Sequence, residues 1–343
     1  MHQSPAALKA ADLVQSPAWF PLEAAAADTL RFVSLDEAAY REASFLDQRL
    51  LHLAPAQALV SAALAQNAAA QLRPRLHYVF HIGHVGSTLL SRLIGARDSF
   101  FSLREPALLR ALAAGGAAVL PLPDLLAFLA RTWRPSQRAV VKVSSFVSEL
   151  AQPLLAGSQA PRAIFMCATP LAYLRTIFAG PNSRAESRTL APLRLRRLLR
   201  RLEAADWRFD PRSEGEQVAM SWLCEMTCLH QAAREHPSQI LWLNFDRFLA
   251  EPQSALQQVF QVLGAPQPPA EVEALLAGPI MRRYSKAPEH AYDAQLRREL
   301  LHAADLEHGA EIRGALGWLA ALAQHYPQVR SVLQAAEALN PGP

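Results

Sequence analysis

Lysine is scarce in this sequence: Lys9, Lys142 and Lys286 are the only three among 34 lysines and arginines. Cysteine is scarce too. Cys167, Cys224 and Cys228 are too few and too clustered for a disulfide framework, which excludes a small stapled secreted fold and makes a reduced, cytoplasmic protein the expectation. Every apolar run is broken by Arg, Pro or Gly before the roughly 18 residues a membrane span needs. The opening "MHQSPAALKAADLVQSP" lacks the charged-then-apolar pattern of a secretion signal. What is present is ample apolar material: 51% of 343 residues are hydrophobic and spread along the chain, enough for one large domain with additions or for two average ones.

The densest basic run, "RLRRLLRRLEAADWR" (194–208), raises the question of nucleic acid. Leucines at 195, 198, 199 and 202 share one helical stripe, so the arginines read as the solvated face of an amphipathic helix, and no nucleic-acid partner is expected. Five β-type runs stand out at Leu76–Phe80, Phe100–Leu103, Ala139–Val143, Ala163–Cys167 and Ile240–Asn244. Helical patterns separate them at Thr88–Gly95, Ala107–Ala113, Leu125–Trp133 and Leu171–Phe178, while the alanine-rich 111–123 reads as a loop. Strands alternating with helices predict an α/β fold, a parallel sheet covered by helices on both faces. Residues 1–72 read as a loop-and-helix cap, 73–290 as the α/β domain and 291–343 as a helical extension. "FDRFLAEPQSALQQVFQVLGAP" reads as one helix closed by Gly264 and Pro266.

The most specific stretch is "LHYVFHIGHVGSTLLSRLI" (76–94). A strand ends in two glycines, two hydroxyl residues follow, and a helix begins. Gly83 and Gly86 allow a tight turn and close approach of an anion. Ser87 and Thr88 offer hydroxyls beside the free N–H groups of the helix start. The nucleotide-hydrolysing loop G-x-x-x-x-G-K-[ST] is not matched: His81 stands at its first glycine and Ser87 at its lysine. Without that lysine the γ-phosphate loses its main cation, and ATP or GTP hydrolysis is not expected. His77, His81 and His84 match no zinc spacing, so no metal is expected.

Two further residues fall at strand ends. Glu105, in "FFSLREPALLR", lies just past the second strand, where a carboxylate can take a proton from an attacking hydroxyl; as a bland alternative it starts a helix ahead of Pro106. Lys142, in "AVVKVSS", ends the third strand. A lysine among valines reaches a polar site or pairs with a carboxylate, and Glu105 and Glu149 are both open as partners.

With these residues in hand the chain resembles the sulfotransferases that use 3′-phosphoadenosine-5′-phosphosulfate (PAPS), in particular the bacterial and tyrosylprotein-type branch. That branch has a loop G-x-[RK]-S-G-[ST]-T-L-[LM]; this chain has "IGHVGSTLL". The resemblance spans about residues 76 to 293 and implies a P-loop-like fold and a sulfuryl donor, PAPS, leaving as adenosine 3′,5′-bisphosphate (PAP). It implies that Gly83, Val85, Gly86, Ser87 and Thr88 hold the 5′-phosphate. Glu105 would be the base, and Lys142 and His84 would offset charge on the transferring and leaving oxygens. "RRYSKAPEHAY" resembles the branch's late nucleotide segment, bringing in Arg283, Ser285 and Lys286. "LNFDRFLAEPQSALQQVFQVLG" resembles the Tyr-Glu-Asp-Leu helix entry. Two departures mark the chain. His84 stands where the loop usually has Arg or Lys, and in "ATPLAYLRT" Ala168 replaces the arginine expected on the 3′-phosphate, with Thr176 at the later serine. Arg175, Arg283 or Lys286 would then supply that cation. The implied activity is sulfuryl transfer to a hydroxyl or amine of an unidentified acceptor. The alternatives are a non-catalytic member of the fold that binds a nucleotide or protein, and a P-loop kinase, which Ser87 disfavours.

Overall fold

The computed structural model describes residues 8–116, 118–157, 159–204, 206–283 and 293–339. Two sheets organise them. An antiparallel sheet near the N-terminus contains β1 (Trp19–Ala26), β2 (Thr29–Ser34) and β3 (Gln57–Ser61) in that order. The main sheet contains β4 (Leu76–His81), β5 (Phe100–Arg104), β6 (Arg138–Lys142), β7 (Ala163–Cys167) and β8 (Ile240–Asn244). Its order is β5-β6-β4-β7-β8 and all its pairings are parallel.

All five expected strands of the main sheet are present within a residue or two of the expected bounds. The physical reason is burial on both faces: every residue of β4, β5 and β7 is buried, and such strands read as continuous apolar runs. β4 lies in the middle. The chain leaves it toward β5 and β6 on one side and later returns to β7 and β8 on the other. A parallel sheet forms a crevice where its order reverses, beyond the carboxyl ends of the strands. Here that point lies between β4 and β7.

Three expectations need correction. The first 72 residues are not only loop and helix, because β1, β2 and β3 lie there. Ala24–Ala27 imitates a helix former, and register shifts between Pro21 and Glu23 and between Ala24 and Ala26 break the alternation that would mark a strand. The expected single helix after β8 is two, Phe245–Ala250 and Pro252–Val262, since Pro252 cannot continue a helix but starts one well. Finally, the arginine-rich helix (Pro181–Leu202) does not keep all its arginines in solvent. Arg194 and Arg197 are buried. Arg194 pairs with Glu225 at 2.9 Å; Arg197 donates to the carbonyls of Phe146 and Ala113 with its guanidinium over the Phe146 ring. A guanidinium can be buried when backbone oxygens and a carboxylate use its donors.

Candidate functional site

β4 ends in a turn shaped by three left-handed residues, Gly83 (φ 92°), His84 (φ 54°) and Gly86 (φ 67°). His81 anchors the turn. Its Nδ1 accepts from the Gly83 N–H at 3.0 Å, so Nε2 carries the proton and donates to the Val143 carbonyl at 2.8 Å. One neutral imidazole thus ties the turn to the end of β6. Gly86 then caps the helix Ser87–Gly95 with no side-chain hydrogen bond, which leaves the N–H groups of its first turn for a ligand or water. The Thr88 hydroxyl is buried without a hydrogen-bond partner. A buried hydroxyl left unmade costs about 1–3 kcal/mol, so its presence beside open amides marks a place built to receive acceptors. Gly86 is required for a second reason: a Cβ there would overlap the Phe245 ring.

The turn forms the floor of a cleft of about 310 Å³. Thr176, Ser183, Phe245, Leu249, Met281, Arg283, Arg297 and Leu300 line it together with the turn. Arg297 comes from the long C-terminal helix Ala294–His325; it pairs with Asp246 at 2.6 Å and lies over the Phe245 ring. His84 is held from both sides, with Nδ1 3.2 Å from Ser183 Oγ and Nε2 3.4 Å from Glu186 Oε2.

The residues expected from sequence divide into groups. His84, Val85, Gly86, Ser87, Thr88, Thr176 and Arg283 line the cleft, and Gly83 shapes its floor. The Thr176 hydroxyl already donates to the Ala172 carbonyl at 2.8 Å. Arg175 does not line the cleft. Its guanidinium is engaged by both oxygens of Asp305, at 2.8 Å each, so it is not the free cation the sequence suggested. Ser285 and Lys286 lie outside the described residues. Glu105 and Lys142 pair with each other and do not line the cleft. Lys142 is 0% exposed, and the Glu105 N–H donates to the Lys142 carbonyl at 2.7 Å. Of the two carboxylates open as its partner, Glu105 takes the lysine, while Glu149 receives Arg200 and Arg201. Ala168 is buried, and its carbonyl accepts from Trp222 Nε1 at 3.0 Å.

Burial pushes the thiols of Cys167, Cys224 and Cys228 up to about 12, so none is a thiolate nucleophile near neutral pH. No cluster of three metal-ligating side chains occurs among the described residues. Sequence reasoning missed Phe245, Ser183 and Arg297. Phe245 follows directly on β8 and could have been found from the rule that ligands sit beyond strand ends. Arg297 carries no local signal.

No family model matches the chain, and no curated protein matches it in sequence. Among solved structures it is similar to the sulfotransferase domain from the curacin biosynthetic pathway, at 13% identity and TM-score 0.42, covering 68% of this chain and 90% of that one. It is also similar to the sulfotransferase domain from the Synechococcus PCC 7002 olefin synthase, at 14% identity and TM-score 0.42, covering 68% and 88%. A third likeness is to mouse sulfotransferase SULT7A1 complexed with PAP, at 9% identity and TM-score 0.42, covering 80% and 96%. All three are partial superpositions at low identity.

Proposed function

We propose that the cleft binds PAPS and that the chain transfers its sulfuryl group to a hydroxyl or amine. The observation that carries this reading is the floor of the cleft: uncapped helix amides, the unpartnered Thr88 hydroxyl, and no lysine to serve a γ-phosphate. The residues present fit a 5′-phosphate. Ser87, Thr88 and the first-turn amides hold it, and the helix dipole favours its charge. Arg283 is the cation for the 3′-phosphate among the described residues, because Arg297 is committed to Asp246 and Arg175 to Asp305; Lys286 is a further candidate. In the transfer, a bond forms from the acceptor atom to sulfur while the bond from sulfur to the 5′-phosphate oxygen breaks, and PAP leaves. His84 donates one N–H to the developing charge after releasing Ser183 or Glu186. Glu105 is the proposed base and Lys142 the proposed cation for the sulfuryl oxygens. Both are closed on one another outside the lining of the cleft, so they act only when that pair opens toward it.

A second reading, a nucleotide-binding member that no longer transfers, rests on that same pair. Lys142 is wholly enclosed and already neutralised. Both readings predict PAP binding. Incubation with PAPS and a panel of phenols, alcohols and amines separates them by release of PAP. Acceptor-dependent PAP supports transfer; tight PAP binding with no release under any acceptor supports the second reading.

A further inference from the structure

The opposite end of β4 carries a second group of unsatisfied side chains. Leu76 pairs with Ala139 and Tyr78 with Ala163, so the register sets Arg75 beside Arg138 and Arg162 beside His77. All four lie at the edge of the sheet away from the cleft, roughly 20 Å along the strand at 3.3 Å per residue. Arg75 and Arg162 are exposed and Arg138 is half-buried. Among the described residues none of the three forms an ion pair; Arg162 donates to the Ser238 carbonyl at 3.1 Å. His77 is 5% exposed. Its Nδ1 accepts from the Arg162 N–H at 3.1 Å, which puts the ring proton on Nε2, and that Nε2 is buried with no partner. The charges that act on this buried donor are those of Arg138, Arg75 and Arg162, and guanidinium groups are themselves only donors.

We infer that this edge is a binding site for a small oxoanion, a phosphate or sulfate group, which accepts from His77 Nε2–H and from the guanidinium groups of Arg75, Arg138 and Arg162. Arginine's planar fork suits such an anion. A water could satisfy the imidazole, but it carries no charge to set against the three arginines that act on it. Burial, then Arg138, Arg75 and Arg162, lower the His77 pKa to about 4, so at neutral pH the ring is uncharged and Nε2 keeps its proton as a donor. The site is independent of the proposed activity, since it shares no residue with the cleft.

NMR of the His77 ring in the full chain tests it directly. Inorganic phosphate, inorganic sulfate and chloride are titrated at matched ionic strength and neutral pH. Phosphate or sulfate should shift the Nε2–H signal and raise the His77 pKa by a unit or more, because a bound anion stabilises the imidazolium; chloride should do neither. Whichever of the two moves the signal at lower concentration identifies the preferred group. Arg75→Gln, at an exposed position that the fold does not need, should weaken the effect about tenfold, and Arg138→Gln similarly. The folded pKa lies below the usual histidine value of about 6.5. The His77 contribution to stability is therefore complete above that value and is lost as pH falls toward 4. Phosphate should reduce that loss. A signal that phosphate and sulfate leave in place, or move no more than chloride does, would mean the donor is satisfied within the protein and would overturn the proposal. Equal shifts in wild type and both arginine variants would overturn it as well.

Discussion

Two polar constructions stand at the carboxyl edge of the same sheet, and they are built in opposite ways. After β4, the turn to Ser87–Gly95 leaves its amides uncapped and the Thr88 hydroxyl unpartnered, opening into a cleft. After β5 and β6, Glu105 and Lys142 close on one another, with the lysine wholly enclosed. Backbone bonds brace the second construction: Leu46 donates to the Arg104 carbonyl at 2.8 Å and Ala107 to the Leu46 carbonyl at 3.0 Å. The N-terminal unit therefore holds Glu105, at φ 50°, in a left-handed conformation that costs a non-glycine residue free energy. Residue type alone marks both places as functional. Which groups are left without partners separates a place waiting for a ligand from one already satisfied.

The largest expected effect breaks the closed construction. Lys142→Met leaves Glu105 without its cation in a mostly buried position and should cost roughly 3–5 kcal/mol in urea unfolding. Glu105→Gln should destabilise in the same direction, and the double variant should recover part of the loss, a coupling that a double-mutant cycle reads. If instead both single variants keep wild-type stability, the pair does not hold the fold, and its residues are free to serve transfer. Gly86→Val acts on the open construction. The positive φ and the overlap with Phe245 both oppose a side chain there, so PAP affinity by calorimetry should fall about 100-fold or more, with a lower melting temperature as well. Equal affinity would remove the turn from the site. A smaller effect sharpens the same contrast. Thr88→Val removes a buried hydroxyl that has no partner in the protein, so the melting temperature without ligand should hold or rise. Nucleotide affinity should still drop roughly 5- to 10-fold, the worth of about one hydrogen bond to a charged group.

The contrast also explains what could be read from sequence. β4 to β7 were legible because strands buried on both faces are written as apolar runs, and the cradle because its glycines and hydroxyls lie close together in the chain. β1 was hidden by its alanines and by its irregular register against β2. The C-terminal part of the cleft was hidden for another reason: Arg297 and Leu300 lie more than 200 residues from Gly86, and no local pattern says that their helix lines the same cleft as the turn. Arg175 was misread because sequence gives its neighbours in the chain but not Asp305, which takes its charge.

Calorimetric titration of the wild-type chain with PAP and with 5′-AMP, without added metal, tests the central claim most directly. The cradle should bind both through the 5′-phosphate, and Arg283 with its neighbours should favour PAP by roughly 10- to 150-fold, the range expected of a charged hydrogen bond. Arg283→Gln should narrow that gap, and added salt should narrow it further if the contact is exposed to solvent. Identical affinities would mean that the 3′-phosphate is not recognised and that PAPS is not the donor. No binding of either nucleotide would contradict the account of the cleft itself.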